Sequence, residues 1–162
     1  MKMAVLYYSN SGNTQKMAEL IASSMSEIES VEAKTFSIDD IDRDFIKESK
    51  CVILGTPIYV GSMAGVVKTF FETTAMKLRL AGKIGGAFAT AEYLHGGGDL
   101  GLQSILDHMM VHGMLTYSGG GAHGYPVIHL GPVALGSELE KSEEIFRLYG
   151  ERMAKKTLEI FG

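Results

Sequence analysis

The sequence predicts an α/β protein: a three-layer sandwich with a five-stranded parallel sheet of order 2-1-3-4-5 and helices on both faces. Three observations predict it. Short apolar runs alternate with stretches of helical periodicity along the whole chain, which is how β-α-β units read. The runs are apolar on successive residues, as strands buried on both faces must be. Three of the turns that follow these runs are rich in hydroxyl, amide or glycine residues, at the strand ends where open parallel sheets hold ligands.

The elements follow in order. Residues 3–8 read as a doubly buried strand, and a helix follows with Met17, Leu20, Ile21, Met25 and Ile28 at helical spacing. Residues 31–36 form a weaker strand near the sheet edge. Ser37, with Asp40 three residues on, reads as the cap of a short helix to about residue 48. Cys51, Val52, Ile53 and Leu54 make the next buried strand. A loop over residues 55–62 then leads to a helix with Met63, Val66, Val67, Phe70 and Phe71 on one face. Residues 84–90 are a strand of small side chains. Residues 99–112 are a helix with Leu102, Ile105, Leu106, Met109 and Met110 inside, and residues 114–117 are the last short strand. Residues 118–136 form a long loop holding His123 and His129. Ser137 and Glu140 have the spacing of a capping box that opens a final helix to about residue 160. Most of the ten methionines fall on inward helix faces, as core filler. No repeat or change of composition divides the chain, so residues 1–162 are expected to form one domain.

Composition excludes several classes. A net charge of −4 and the lack of any basic cluster argue against a nucleic-acid partner. Cys51 is the single cysteine, which leaves no internal disulfide and no iron–sulfur or Cys-rich zinc site on this chain alone. His108 and His112 share a helix face, but no third ligand has suitable spacing, so no metal is expected. No apolar run reaches the roughly 18 residues of a membrane span, and no signal peptide precedes the first strand. A cytoplasmic location is the expectation.

The chemistry gathers at three turns. Ser9, Asn10, Ser11, Gly12, Asn13 and Thr14 link the first strand to the first helix. A strand, a tight turn and a helix N-terminus make an anion site, because free N–H groups and the helix dipole converge there. No Lys or Arg precedes Lys16 in this turn, so the donors are neutral and suit a terminal phosphate within a larger ligand. The second turn is Pro57, Ile58, Tyr59, Val60, Gly61, Ser62 and Met63, where Tyr59 is placed to lie against a planar group. The third carries Ala91, Glu92, Tyr93, His95, Gly96 and Gly97. Its glycines allow close backbone approach, and Tyr93 and His95 are placed to meet a ring edge.

These residues are recognisable. Ser9, Ser11, Gly12, Asn13 and Thr14 after an apolar strand resemble the FMN-phosphate loop of the flavodoxin-like superfamily. The rule that puts ligands at the switch point counts flavodoxin itself among its examples. The stretches 56–65, 82–88, 95–97 and 112–114 are similar to the tryptophan-repressor-binding-protein branch. Members of that branch are FMN-dependent NAD(P)H:quinone oxidoreductases, typically tetrameric. The resemblance implies that Ser9 to Thr14 hold the phosphate. Pro57 to Met63 line one side of the isoalloxazine, and Ala91 to Gly97 line the other. His112 matches a histidine near the flavin, reached from a neighbouring subunit or from the helix end. It implies FMN as cofactor, NAD(P)H as co-substrate, a quinone-like acceptor and a homodimer or homotetramer. The flavin carries the electron chemistry, so no catalytic acid, base or nucleophile is required of the chain. Glu92, if near the ring, disfavours negative charge there. The branch usually has Arg-Phe where this chain has Tyr59-Val60. The alternative function is a flavodoxin-type electron carrier between protein partners.

Overall fold

The computed structural model describes residues 1–121 and 124–162, so His123 lies outside the described residues. The chain runs β1 (Lys2–Tyr7), α1 (Asn13–Ser26), β2 (Glu32–Ser37), α2 (Arg43–Glu48), β3 (Cys51–Tyr59) and β4 (Ser62–Met63). It continues through α3 (Gly65–Thr73), β5 (Ile84–Ala91), α4 (Gly98–Val111), β6 (Leu115–Thr116), β7 (Val133–Leu135) and α5 (Leu139–Phe161). The parallel sheet is ordered β2-β1-β3-β5, and β6 and β7 share the next position beside β5. This is the expected 2-1-3-4-5 arrangement.

The continuous apolar runs have a simple cause. Successive residues of a strand point to opposite faces. Ala4, Leu6, Val52 and Leu54 therefore join a core with α3 and α4 side chains such as Val67, Phe71, Leu102 and Ile105. Met3, Val5, Cys51 and Ile53 join a second core with Met17, Ile21, Phe146 and Tyr149 of α1 and α5. Each face of the sheet is covered, so neither set of residues can be polar.

Several expectations are corrected. The short second helix begins at Arg43, not after Ser37. Its cap is Asp42, whose Oδ1 accepts from the N–H groups of Asp44 (3.1 Å) and Phe45 (2.9 Å). Ser37 closes β2 and accepts from Asp39 N–H. The expected loop over residues 55–62 is mostly strand: β3 continues to Tyr59 and turns back as a hairpin with β4. Val66 and Met110 face outward. The capping box does not form, since Ser137 lies in a 3-10 turn (Gly136–Glu138) and α5 starts without a side-chain cap.

The largest correction concerns the long loop. The fifth strand is split: β6 pairs with Ile84 and Gly85, and β7 pairs with Ala89 to Ala91. The intervening segment is tied to α5 by buried Arg152. Its guanidinium donates to the carbonyls of Gly120 (3.1 Å), Pro126 (3.0 Å) and Gly124 (3.4 Å).

The cores also hold titratable groups. Burial pushes the Cys51 thiol from 9.0 up to about 12, with a smaller opposing effect from its hydrogen bond with Thr157. Burial likewise holds the Tyr149 phenol well above its ordinary value. The unfolded chain releases the Cys51 proton from about pH 9, whereas the folded chain keeps it. This contribution to stability is therefore complete below pH 9 and is lost as pH rises toward 12. Lys83 acts with the opposite sign. It donates to the carbonyls of Lys47 and Ser49, and burial lowers its pKa, so its share of stability rises with pH in the alkaline range. Cys51→Ala is expected to flatten the alkaline loss of stability by up to about 1.4 kcal/mol per pH unit. Urea titrations of both proteins at neutral pH and at about pH 11 measure this.

Candidate functional site

The site is built at the C-terminal edge of the sheet, where β1 and β3 are neighbours and the chain leaves them in opposite directions. β1 ends at Tyr7, and Gly12 stands as the N-cap of α1 with φ 90°, a left-handed conformation that favours glycine. Gly12 N–H donates to Ser9 Oγ at 3.1 Å, which fixes the turn. No side chain caps α1 and no acidic residue stands in its first turn. The first-turn N–H groups have no carbonyl partner within the helix, so they stay available to an anion. The nearest cation, Lys16, is engaged with Glu143 at 2.8 Å. The donor set at the turn is thus neutral.

The second wall is the β3–β4 hairpin. Thr56 steadies its base: the Thr56 hydroxyl accepts from Ala64 N–H (3.0 Å) and donates to Pro57 C=O (2.8 Å). Tyr59 pairs with Ser62, and Ile58 with Met63. The two tip residues, Val60 (φ 51°) and Gly61 (φ 80°), are both left-handed, as a two-residue type I′ turn requires. A β-branched residue is strained there, at about 1–2 kcal/mol. Val60 is also fully exposed, so no packing offsets the strain. Val60→Asn is expected to raise stability by about 1 kcal/mol, read from the urea midpoint.

The third wall is the turn after β5. Gly96 N–H donates to Tyr93 C=O at 3.0 Å, and the Tyr93 and His95 rings are 6.0 Å apart. Gly97 has φ 97°, and a methyl group on it would lie 2.2 Å from Gly61 C=O. The hairpin tip and this turn therefore touch backbone to backbone, which only glycine permits.

Between the walls lies a small cleft of about 110 Å³, lined by Ser11, Asn13, Pro57, Ile58, Tyr59, Thr90, Ala91, Glu92 and Gly136. Of the residues expected from sequence, Ser11, Asn13, Pro57, Ile58, Tyr59, Ala91 and Glu92 are brought together directly. Ser9, Gly12, Val60, Gly61, Ser62, Gly96 and Gly97 shape the turns around them. Asn10 is exposed beside the first turn, and Tyr93 and His95 are exposed on the outer turn.

Three expected residues stand apart. Thr14 is buried, and its hydroxyl bonds Thr90 Oγ1 at 2.8 Å, tying α1 to β5. Met63 is buried in the core beneath the hairpin. His112 caps the C-terminus of α4, which enters the N-terminal edge of the sheet, opposite the cleft; its Nε2 lies 3.1 Å from Phe71 C=O. One chain does not bring His112 to the other site residues.

Sequence reasoning missed Thr90 and Gly136. Gly136 reaches the cleft because β7 pairs along the end of β5. The one available signal was the apolar triplet Val133, Ala134 and Leu135 between glycine turns.

An open parallel sheet with an uncapped helix N-terminus and two turns at its switch point defines a doubly wound α/β protein with a crevice at that point. The flavodoxin family model matches residues 5–99, and the chain belongs to the flavodoxin family. A flavodoxin from Clostridium saccharobutylicum is 40% identical over 161 residues, covering 99% of this chain and 100% of that one. A quinone-type NAD(P)H dehydrogenase from Geotalea daltonii is 29% identical, covering 71% of this chain and 69% of the relative. Among solved structures, a flavodoxin from the domain Archaea superposes with a TM-score of 0.80 at 26% identity, covering 98% of this chain and 99% of that one. A WrbA-like flavodoxin from Agrobacterium tumefaciens gives 0.79 at 25% identity, covering 98% of each. Likeness in sequence to a flavodoxin thus extends over 99% of the chain, whereas likeness to a quinone dehydrogenase covers 71% of it. Among the described residues, no helix is long and apolar enough to cross a membrane.

Proposed function

We propose that this chain is an FMN-binding electron carrier that passes electrons between protein partners. The observation that carries the reading is full-length similarity to a flavodoxin, together with a cleft whose donors and walls suit FMN. The fit is chemical. The N–H groups of Ser11, Asn13 and Thr14 and the side chains of Ser11 and Asn13 would hold the phosphate at the uncapped start of α1. Pro57, Ile58 and Tyr59 would lie along one side of the ring, and Ala91, Glu92 and the Tyr93–Gly97 turn along the other. When bound, FMN supplies the electron chemistry. The chain orients the cofactor, shields part of it from water, and sets the charge around it. Glu92 on the cleft wall disfavours added negative charge on the ring and so lowers its potential.

The rim favours a protein partner. Tyr59, Val60, Tyr93 and Leu94 are all exposed around the cleft mouth, with Leu94 at 88% and Val60 uncovered. Such a collar leaves the ring edge open to a partner's surface. The second reading, an NAD(P)H:quinone oxidoreductase, draws on the partial likeness to quinone dehydrogenases. In that reading NAD(P)H is a co-substrate and a quinone the acceptor.

One experiment separates these. The apoprotein is expected to take up FMN and quench its fluorescence. Anaerobic NADH or NADPH is then expected to leave the flavin oxidised, while dithionite bleaches it. Rapid bleaching by a nicotinamide, with turnover on a quinone, would replace the carrier with the enzyme. Failure to bind FMN would sink both.

A further inference from the structure

Glu92 is a carboxylate without a partner, placed at an anion site. Its Oε2 and the Asn13 Nδ2 amide converge on one point: a methyl group on Gly136 would lie 3.1 Å from the first and 3.4 Å from the second. Asn13 is the first residue of α1, so Glu92 stands beside the helix N-terminus that the fold offers to a phosphate. Both residues line the same cleft. Glu92 makes no ion pair or hydrogen bond with any described residue, and the nearest cation in sequence to the turn, Lys16, is held by Glu143.

We infer that Glu92 is a specificity-determining residue which opposes the cofactor's phosphate by charge and so narrows the preference of the cleft for FMN over riboflavin. The inference rests on the FMN reading above and adds to it. A dianionic phosphate at the start of α1 gains from the N–H groups and the dipole, and loses to a fixed negative charge beside it. Riboflavin has the same ring and ribityl chain but no phosphate, so the charge term is absent for it. Lys16 is engaged with Glu143, so salt is expected to relieve the repulsion. The Debye length is about 30 Å at 0.01 M ionic strength and about 8 Å at 0.15 M, which spans the size of the site. FMN should therefore bind more tightly as salt is added, against the usual trend for an anion at a positive site. The sequence shows only that Glu92 is near the third turn. The split fifth strand brings Gly136 against both Glu92 and Asn13.

The test measures dissociation constants of FMN and of riboflavin for the wild-type apoprotein and for Glu92→Gln, by quenching of flavin fluorescence at low and physiological ionic strength. Glu92 is exposed, so the variant keeps the fold. At low salt, Glu92→Gln is expected to bind FMN roughly threefold to tenfold more tightly than wild type, with a distinctly smaller change in the riboflavin constant. Added salt is expected to tighten FMN in the wild type and to have a smaller effect in the variant. FMN binding no tighter in Glu92→Gln, or an equal gain for riboflavin, overturns the inference and leaves the FMN reading intact. If the wild-type chain binds neither flavin, the FMN reading falls and the inference falls with it.

Discussion

Asn13→Asp is expected to bind FMN at least tenfold more weakly than the wild-type chain, while its apoprotein unfolds at no lower temperature. The two effects differ for one physical reason. Asn13 is the first residue of α1, at an N-terminus with no side-chain cap and no acidic residue in its first turn. A carboxylate there interacts favourably with the helix dipole, by about 0.3–1 kcal/mol at an exposed position. The same carboxylate stands where the phosphate would be, beside a cleft that already holds Glu92. Repulsion from Glu92 offsets part of the dipole gain, so stability should hold while FMN affinity falls. Riboflavin, without the phosphate, should lose much less. Fluorescence titration with both flavins, beside a thermal melt of the apoprotein, reads all three quantities. Unchanged FMN affinity would show that the phosphate is held elsewhere.

Gly150→Val is expected to destabilise the fold by about 3 kcal/mol or more, with Gly150→Ala costing about 1–3 kcal/mol. In an exposed helix the same glycine-to-alanine change would gain about 1 kcal/mol in propensity, so the sign itself is diagnostic. Gly150 lies where α5 crosses α1. A Cβ there would meet Ser24 Oγ at 2.2 Å and the Ile21 carbonyl at 2.5 Å. Ser24 cannot easily move away, because its hydroxyl donates to Arg147 C=O across the same contact at 2.7 Å. The Ile21 carbonyl belongs to the backbone of α1. Separating the helices would disturb the core that holds Met17, Ile21, Phe146 and Tyr149. Urea unfolding reports the loss as a lower midpoint. A Gly150→Ala protein as stable as wild type would mean that the helices are not packed this closely.

Strand and helix alternation, sheet order and the chemistry of the first turn were legible in the sequence. Doubly buried strands such as β1 and β3 carry unbroken apolar runs, Met3 to Leu6 and Cys51 to Leu54, bounded by turn residues. The first turn was legible because its conformation depends on local residues: Gly12 in the left-handed region, Ser9 holding the turn, and a helix starting at Asn13. The β3–β4 hairpin was less legible. Val60-Gly61 is a poor type I′ pair by preference, so the strand signal stops early, although the sheet carries the strand on to Tyr59.

By itself, the sequence determined the fold class, the order of the sheet, and the turn that opens the first helix. These follow from periodicity and from turns whose geometry is set within a few residues. The tertiary structure alone decided that the fifth strand is split, and that β7 brings Gly136 against Glu92 and Asn13. It alone decided that Thr14 turns its hydroxyl to Thr90, and that His112 faces away from the cleft. Each of these depends on pairing or packing between residues far apart in the chain. A two-residue strand such as β6 and a three-residue strand such as β7 are too short to show a period, and only their fit against β5 selects them.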